Sequence, residues 1–310
     1  MSHCPICNTL LQTKGREYST DQLFELFELL KPMQFLNETI KLHRAQSNYT
    51  QLYQCPNCEL EIFLPQIIGS PQFYIEMYNA TNKDLSLYVD DRWEFSEAQK
   101  DLIGTQSLIE IGCGEGAFLK KIRDTVPYII GIEYNEHAVK TARNNGFIIY
   151  TPDYNIEEKF DAIIAFHILE HMADPLDFIR SLSARIKNHG KIYLSVPNQD
   201  GPIQFIEPCI HNMPPHHATR WHAKTFKILS DQLHLSIEKI EFEPLAITDH
   251  YYYTHYWINS KITGKSYIHN IFKIFLNRIT SGIFEILKKM RVQKFKWLKG
   301  QSIYVILRKD

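Results

Sequence analysis

The order of apolar and polar residues divides the chain into an irregular first third and a regular middle. From about residue 105, short apolar runs alternate with segments in which apolar residues recur at helical spacing. The runs predict strands at residues 107–112, 128–133, 147–150, 161–166, 191–196, 235–242 and 302–308. Strands that alternate with helices in this way predict a doubly wound, Rossmann-like α/β fold whose mostly parallel sheet has helices on both faces.

Residues with helix-capping chemistry mark the ends of the predicted helices. Asn135 can accept hydrogen bonds from free backbone N–H groups at the start of one helix, and Gly146 can end it. Asp174 followed by Pro175 predicts the start of another helix. Ile186 continues the apolar spacing of that helix, so we expect it on the buried face.

The remaining segments do not follow the α/β rhythm. We therefore expect four parts: an N-terminal module over 1–65, a helical connector over 66–104, an α/β domain over 105–249 and 300–310, and an insertion over 250–299. Within the module, the apolar spacing predicts a helix from Asp21 that Pro32 ends.

Composition and charge leave the protein within the ordinary globular class. The chain has 310 residues, 44% of them hydrophobic, which is enough for a sizeable core. Its net charge of −1 gives no overall attraction to nucleic acid, which is not an expected partner. The first residues lack the pattern of a secretory signal, and no apolar stretch reaches the ~20 residues that span a bilayer. We therefore expect a cytoplasmic protein.

Two Cys-x-x-Cys pairs enclose the N-terminal module. Cys4 and Cys7 form the first pair and Cys55 and Cys58 the second, and each pair can present two thiolates to one tetrahedral zinc ion. The 47 residues between the pairs exceed the ~15–20 of a simple zinc ribbon, and a helical insert would account for the excess. Four protein ligands leave the metal no open position, so the predicted zinc is structural. A redox dithiol is the alternative, although it would need only one pair.

A glycine-rich turn follows the first predicted strand of the α/β domain. Gly112, Gly114 and Gly116 let a ligand approach the backbone, and the next helix offers free N–H groups at its start. Glu133 ends the second strand, 21 residues after Gly112, where an acid can accept both hydroxyls of a ribose. Ala117 also completes the dinucleotide fingerprint, so the turn alone does not distinguish a dinucleotide from a methyl donor.

Three segments occur in the same order as the motifs of a known family. They are Leu108–Gly116, with Glu110 two residues before the first glycine, Phe160–His171 and Lys191–Asn198. In these segments the chain resembles class I S-adenosylmethionine-dependent methyltransferases, over about residues 105–245 and the last strand. The resemblance implies the family's seven-stranded sheet, S-adenosylmethionine as cofactor and methyltransferase activity.

The same resemblance implies a cofactor site built from several strand ends. Its residues are Glu110, Gly112, Cys113 and Gly114 at the methionine end, Glu133 at the ribose, Tyr134 and Asp153 at the adenine, and Phe166 and His167 beside the sulfonium. Core packing explains Phe166 equally well.

An unusual connector follows the fifth predicted strand. Asn212–Trp221 contains two prolines and then His216 and His217, and it resembles a segment of bacterial zinc-ribbon methyltransferases that modify sugars or cell surfaces. Methyl transfer to a hydroxyl needs a proton acceptor, and a neutral histidine suits that role near pH 7. We predict His216 or His217 as the catalytic base; alternatively both hold the loop by backbone hydrogen bonds. For Glu170 and His171 we favour capping of the next helix over catalysis.

The predicted reaction is methyl transfer to a hydroxyl of a small-molecule or glycan acceptor, a sugar or cell-surface glycan precursor. One alternative is methylation of carbon on a nucleotide sugar. Another, from a different class, is a protein that binds RNA through the zinc module and through the aromatic and lysine residues at 293–299.

Residues 261–300 are strongly basic in a chain that is neutral overall. They contain ten Lys or Arg residues and one acid, Glu285, a local charge of +9. Apolar residues recur at helical spacing at 268, 271, 275, 279, 283, 286 and 290. The pattern predicts a basic amphipathic helix that could make a peripheral contact with the inner face of a membrane through 261–299. Alternatively the apolar stripe packs on the sheet or on a second subunit of a homo-oligomer.

Overall fold

The structure, a computed structural model, describes residues 2–30, 35–80, 91–153, 157–262 and 267–310. The first 65 residues contain strands and helices in this order: β1 (Gln12–Ser19), α1 (Thr20–Leu30), α2 (Asn37–Gln46), β2 (Tyr49–Gln54) and β3 (Glu61–Leu64). The predicted helix at Asp21 is present as α1, whereas Pro32 lies outside the described residues. The three strands were not predicted: exposed positions hide the alternation of apolar and polar residues in β1 and β2, and β3 is a buried strand of only four residues.

The described part of the connector over 66–104 includes two helices. It contains α3 (Pro71–Ala80) and α4 (Trp93–Asp101). Phe73 on α3 stacks on Phe35 with ring centroids 5.2 Å apart and meets Phe27 of α1 edge-on. This aromatic cluster fixes α3 against the N-terminal module.

The rest of the chain forms the predicted doubly wound sheet. In chain order its elements are β4 (Ser107–Ile111), α5 (Ala117–Ile122), β5 (Tyr128–Ile132), α6 (Glu136–Asn144), β6 (Ile148–Tyr150), β7 (Phe160–Phe166), α7 (Pro175–Arg185), β8 (Ile186–Pro197), β9 (Thr219–Arg220), α8 (Ala223–Leu233), β10 (Leu235–Ala246), α9 (Ile247–Lys261), α10 (Tyr267–Lys289) and β11 (Lys294–Lys309). The seven-stranded order is β10-β11-β8-β7-β4-β5-β6. Strands β8, β7, β4, β5 and β6 are parallel, and β11 runs antiparallel between β8 and β10. This confirms a Rossmann-like α/β fold.

The predicted helix caps are confirmed, but one helix end was wrong. The Asn135 side chain accepts hydrogen bonds from two backbone N–H groups of α6, and Asp174 accepts one from Asp177 N at 2.9 Å. Ile186 is fully buried, yet it is the first residue of β8, paired with Phe160, and not part of α7. A buried isoleucine between a helix and a strand fits the apolar spacing of the helix and the apolar run of the strand equally well. Spacing alone therefore assigned Ile186 to the wrong element.

The last strand begins earlier than predicted. It starts at Lys294 instead of Ser302, and β10 extends to Ala246, which pairs with Lys294. The early part of β11 was hidden by its exposed lysines, which resemble a loop or a basic helix in sequence.

The N-terminal sheet includes a strand from the second half of the chain. Its order is β1-β2-β3-β9, and Ile62 and Glu61 of β3 pair with Thr219 and Arg220 of β9. Apolar residues of the module and of the α/β sheet also share one core. The connector after β8 is therefore held by both parts of the protein.

Candidate active site

The glycine turn after β4 has a backbone that requires glycine. Gly112, Gly114 and Gly116 have φ values of 74°, 54° and 84°, in the left-handed region that favours glycine. A Cβ atom on Gly112 would lie 2.3 Å from the Cδ1 atom of Ile168, so the Ile168 side chain would have to move to admit it. The turn therefore brings bare backbone to the carboxyl end of the parallel strands, where doubly wound folds bind ligands.

Glu133, at the end of β5, is tied to this turn. Its carboxylate accepts hydrogen bonds from the backbone N–H groups of Gly114, Tyr134 and Asn135, each at 2.9 Å. Burial raises the pKa of Glu133, while these three bonds act in the opposite direction. The predicted ribose-binding acid and the glycine turn are thus in direct contact.

Glu110 lies beneath the turn with an unsatisfied carboxylate oxygen. Its Oε2 atom is buried and accepts no hydrogen bond from the described residues. Burial, with a smaller contribution from the charge of Glu133, raises the pKa of Glu110 to about 8. The carboxylate borders a cavity of about 60 Å³, which Cys113 and Gly114 also line. A small polar or cationic group in this cavity would satisfy the free oxygen.

Two larger cavities meet at Gly112, Glu133 and Tyr134, which line both. One, of about 350 Å³, is largely apolar; its other lining residues include Ile132, Pro152, Met172 and Phe178. A flat apolar ring such as adenine suits this lining. Asp153 follows Pro152 with an exposed side chain and is not among the lining residues. Its contact with adenine stays a prediction.

The second cavity, of about 400 Å³, combines the predicted cofactor residues with the predicted catalytic histidines. Two of its lining residues, Phe166 and His167, lie at the end of β7. His171 lines it from the segment after β7, and His216 and His217 line it from the connector after β8. Phe166 also stacks on Phe95 at 5.9 Å, so it packs in the core as well as lining the cavity, and its place beside the sulfonium stays a prediction.

His167 lies between two buried carboxylates at an unusual backbone position. Its φ is 53°, its Nε2 atom lies 2.9 Å from Glu94 Oε1, and its Nδ1 atom lies 3.4 Å from Glu170 Oε1. Burial lowers the pKa of His167, but the bonds to Glu170 and Glu94 outweigh it and raise the pKa to about 9. His167 is therefore a cation near pH 7.

Glu170 does not cap the next helix, which Asp174 caps instead. Its fully buried carboxylate lies between His167 and His217, with Oε1 3.8 Å from His217 Nε2. Our expectation of a capping role was wrong because the short 3₁₀ turn Leu169–His171 directs the side chain inward. Glu170 thus forms part of the cavity wall.

The three histidines form a packed cluster. The ring of His217 stacks on His216 at 4.2 Å and meets His171 edge-on at 4.8 Å. Burial, and then the charges of His216 and His171, lower the pKa of His217 well below its usual range. One nitrogen from each ring lies within 4.8 Å of the others, so the cluster could also hold a metal ion.

Sequence reasoning missed Tyr74 and Glu94, which belong to the helical connector over 66–104. The Tyr74 hydroxyl donates to the backbone oxygen of His216 at 3.0 Å and lies 2.9 Å from His171 Nδ1. Neither residue belongs to a recognisable motif, and each reaches the site only through the packing of α3 and α4. Tertiary structure was needed to find them.

The four cysteines of the N-terminal module meet at one point. The Sγ atoms of Cys4 and Cys58 are 3.4 Å apart, as are those of Cys7 and Cys55. The two turns match: Asn8 N donates to Cys4 O and Glu59 N to Cys55 O, each at 2.9 Å. Backbone N–H groups also point at the sulfurs of Cys4 and Cys55. Four sulfurs in this arrangement are compatible with a tetrahedral zinc site.

Comparison with known proteins identifies the α/β part of the chain. A family model described as "Methyltransferase domain" matches residues 82–238, just over half of the chain. Ubiquinone biosynthesis O-methyltransferase of Haemophilus ducreyi is 24% identical over 136 residues, which cover 39% of this chain and 58% of that protein. The enzyme of the same name from Xanthomonas oryzae is 28% identical over 119 residues, covering 35% and 49%. The chain thus spans about half the length of the curated relatives it matches.

Among solved structures, a SAM dependent methyltransferase from Archaeoglobus fulgidus is 18% identical, with a TM-score of 0.45. The likeness covers 70% of this chain and 91% of that protein. Across the described parts of the chain, no helix combines the length and apolarity needed to cross a bilayer.

Proposed function

This chain belongs to the methyltransferase domain family, and from that premise we propose that it transfers the methyl group of S-adenosylmethionine to a hydroxyl of a sugar or cell-surface glycan precursor. One observation carries the proposal. The cavity that Gly112 and Glu133 line is also lined by the cluster of His171, His216 and His217. A donor site and a candidate proton acceptor therefore open into the same space.

The residues around Gly112 suit this donor in three respects. Glu133 offers a carboxylate for the ribose, the 350 Å³ cavity an apolar surface for the adenine, and Glu110 a buried oxygen for the cationic amino group of the methionine portion. When bound, the donor supplies a methyl carbon on a cationic sulfur, which leaves as a neutral thioether once the acceptor oxygen has taken the methyl group.

A neutral histidine accepts the proton that the acceptor hydroxyl loses as the new C–O bond forms. His167 is unsuitable, because its pKa of about 9 keeps it protonated. His217 is neutral near pH 7, since burial holds its pKa well below the usual range. Glu170 lies 3.8 Å from its Nε2 atom and would stabilise the cation that proton transfer creates. His216, stacked on His217, is the other candidate.

The nature of the acceptor rests on two lines of support. The Asn212–Trp221 segment resembles that of bacterial methyltransferases acting on sugars or cell surfaces, and the curated relatives are named O-methyltransferases. The test is incubation with S-adenosylmethionine and a panel of nucleotide sugars, glycans and RNA, with mass-spectrometric detection of S-adenosylhomocysteine and of the methylated product. Product methylated on carbon, or turnover with RNA alone, would contradict the proposal.

The catalytic base is tested by His216→Asn, His217→Asn and the double variant. Loss of a general base typically costs about 10²–10⁴-fold in turnover, and binding of S-adenosylhomocysteine should remain. His189→Asn is a matched control, because this exposed histidine lies outside the cavity at a positive φ that asparagine tolerates. A parallel assay after removal of divalent metal shows whether the cluster acts through an ion. Unchanged turnover in the double variant would exclude both histidines.

We also propose that Cys4, Cys7, Cys55 and Cys58 hold a structural zinc ion. The matched turns and converging sulfurs support this. With four protein ligands, such a site holds the fold together and takes no part in methyl transfer.

A further inference from the structure

The helix α10 turns its apolar face toward solvent. Eight large apolar residues at its outer side are between 43% and 68% exposed: Ile271, Phe272, Ile274, Phe275, Ile279, Ile283, Ile286 and Met290, the last directly after the helix. Soluble monomers rarely expose an apolar face of this extent. The alternative that this stripe packs on the sheet was therefore wrong.

The inward side of the same helix carries polar residues beside the half-buried Leu276, Phe284 and Leu287. Helix α10 packs against α9, where Asn277 Oδ1 lies 3.2 Å from His255 Nδ1. Thr280 and Ser281, on the same side, bond back to the Asn277 carbonyl and are half-buried. A surface helix usually buries its apolar side, whereas α10 also exposes a larger apolar set on its outer side.

Basic residues surround the apolar face. Lys288 and Lys289 lie in the last turn of the helix, Arg291 follows it, and Lys294 and Lys296 lie at the start of β11, all with exposed side chains. Trp297, next to Lys296, is 78% exposed. An apolar stripe edged by lysine and tryptophan has the composition of helices that lie in the plane of a membrane surface.

We propose that the outer face of α10, together with Lys294–Trp297, binds the surface of an anionic lipid membrane. Charge decides between this occupant and a second copy of the chain. Residues 261–300 carry a local charge of +9, so a symmetric contact of this face with itself would bring like charges together. An anionic bilayer instead receives both the apolar stripe and the basic rim.

Helix α9 links the proposed surface to the active site. Helix α9 packs against both α10 and the 3₁₀ turn Pro202–Phe205, and Ile203 of that turn lines the 400 Å³ cavity. This arrangement suits an acceptor carried on a lipid, an extension that rests on the proposed function. The binding test below involves no turnover, so the two proposals can fail separately.

The test is sedimentation of the full chain with phosphatidylcholine vesicles, with and without phosphatidylglycerol. We expect binding to the anionic vesicles that decreases at high salt, and a blue shift of tryptophan emission that Trp297→Phe removes. Lys288→Gln with Lys289→Gln should weaken partitioning about 25-fold, at about fivefold for each charge. Phe275→Ser should weaken it at least about tenfold.

Matched controls separate these effects from a general loss of charge or apolarity. Lys120→Gln with Lys140→Gln removes two exposed charges from α5 and α6, and Ile103→Ser removes an 81% exposed apolar side chain before β4. These variants should bind like the unmodified chain. Equal binding to neutral vesicles, weakening by the controls, or no sedimentation would overturn the proposal. So would a dimer in gel filtration that Phe275→Ser converts to monomer, since a second copy would then occupy the face.

Discussion

Glu110 and Gly112 show how single residues adapt the end of β4 to a ligand. A buried carboxyl oxygen without a hydrogen-bond partner destabilises the folded protein. A glycine such as Gly112 also lowers stability, because glycine loses more conformational entropy on folding than any other residue. Such destabilising features occur mainly at functional sites, where ligand binding compensates for them. Both residues therefore give measurable predictions that do not depend on the identity of the acceptor.

Glu110→Gln should change the pH dependence of stability. The pKa of Glu110 is about 8 in the folded protein against an ordinary value of 4.5, so its stabilising contribution is complete below pH 4.5 and is lost as pH rises through 8. We expect the free energy of urea unfolding to fall less between pH 5 and 8 in the glutamine variant than in the unmodified chain. The exposed Glu158 gives a matched control, Glu158→Gln, which should retain the original slope. Identical slopes in all three proteins would refute the argument.

Gly112→Ala should weaken donor binding, because Ile168, which lines both larger cavities, would have to move. The added Cβ would lie 2.3 Å from Ile168 at a φ of 74°. Gly104→Ala is an ideal control, because Gly104 has a φ of 87° but an added Cβ would meet nothing within 4 Å. Both variants should lose about 1 kcal/mol or more of stability from backbone strain. Only the Gly112 variant should lose affinity for S-adenosylhomocysteine in calorimetry; equal affinity in both would contradict this account of the turn.

At the scale of elements, the first cysteine turn lies beside a strand, β1, that contributes little to the core. Strand β1 is mostly exposed, and only Tyr18 along it is fully buried. The turns bring the start of the module next to the β2–β3 turn, across 47 intervening residues. A metal cross-link closing so long a loop removes many unfolded conformations.

The purified chain should therefore contain about one zinc per molecule, and removal of the metal with a strong chelator should lower Tm. Cys55→Ser should bind less zinc and lose several kcal/mol of stability, since structural zinc contributes directly to folding. Cys209 is a half-buried cysteine outside the cluster, so Cys209→Ser should keep the zinc content and the stability of the unmodified chain. A chelator that leaves Tm unchanged would show that the cysteines act without a metal.

At the scale of the whole molecule, Glu61 connects the N-terminal sheet to the connector that carries the histidines. Its side chain is fully buried and faces Arg220 at 3.6 Å and His222 at 3.2 Å, and Lys14 pairs with it from β1. Burial lowers the pKa of His222, but Asp200 and Glu61 outweigh it and raise the pKa to about 9. These four charged groups anchor the connector after β8, only a few residues beyond His217.

Glu61→Gln should destabilise the protein by about 3–5 kcal/mol, the usual effect of removing one partner from a buried ion pair. Because the folded pKa of His222 lies above its ordinary 6.5, the stabilisation it gives is present below that value and is lost as pH rises through 9. The difference between variant and unmodified chain should therefore shrink at pH 10. The control is Glu59→Gln, two residues before Glu61, which removes the ion-pair partner of Lys224. It should lower the free energy of unfolding by less than about 1 kcal/mol. Urea unfolding measures the loss of stability in both variants. An equal loss in the Glu61 and Glu59 variants would argue against the anchoring role of Glu61.

The sequence by itself was sufficient for features in which local pattern and structure agree. Apolar periodicity predicted every strand of the large sheet, because buried parallel strands are nearly continuous apolar runs. Spacing predicted that the glycine turn and Glu133 would meet, since adjacent parallel strands end at one edge. The paired cysteines could be recognised because both turns repeat the same short pattern.

Only the tertiary structure decided how distant segments combine. Helix packing brings Tyr74 to the cavity and Glu94 to His167, and β9 joins a sheet whose other strands lie more than 150 residues earlier. The direction of the apolar side of α10 was equally undetermined, because periodicity reveals that a helix has two faces but not which one meets the protein. Strand ends also depended on partners: β11 extends to Lys294 because β10 is there to pair with it. Local pattern encodes the elements, whereas long-range contacts choose their neighbours and thereby complete the site.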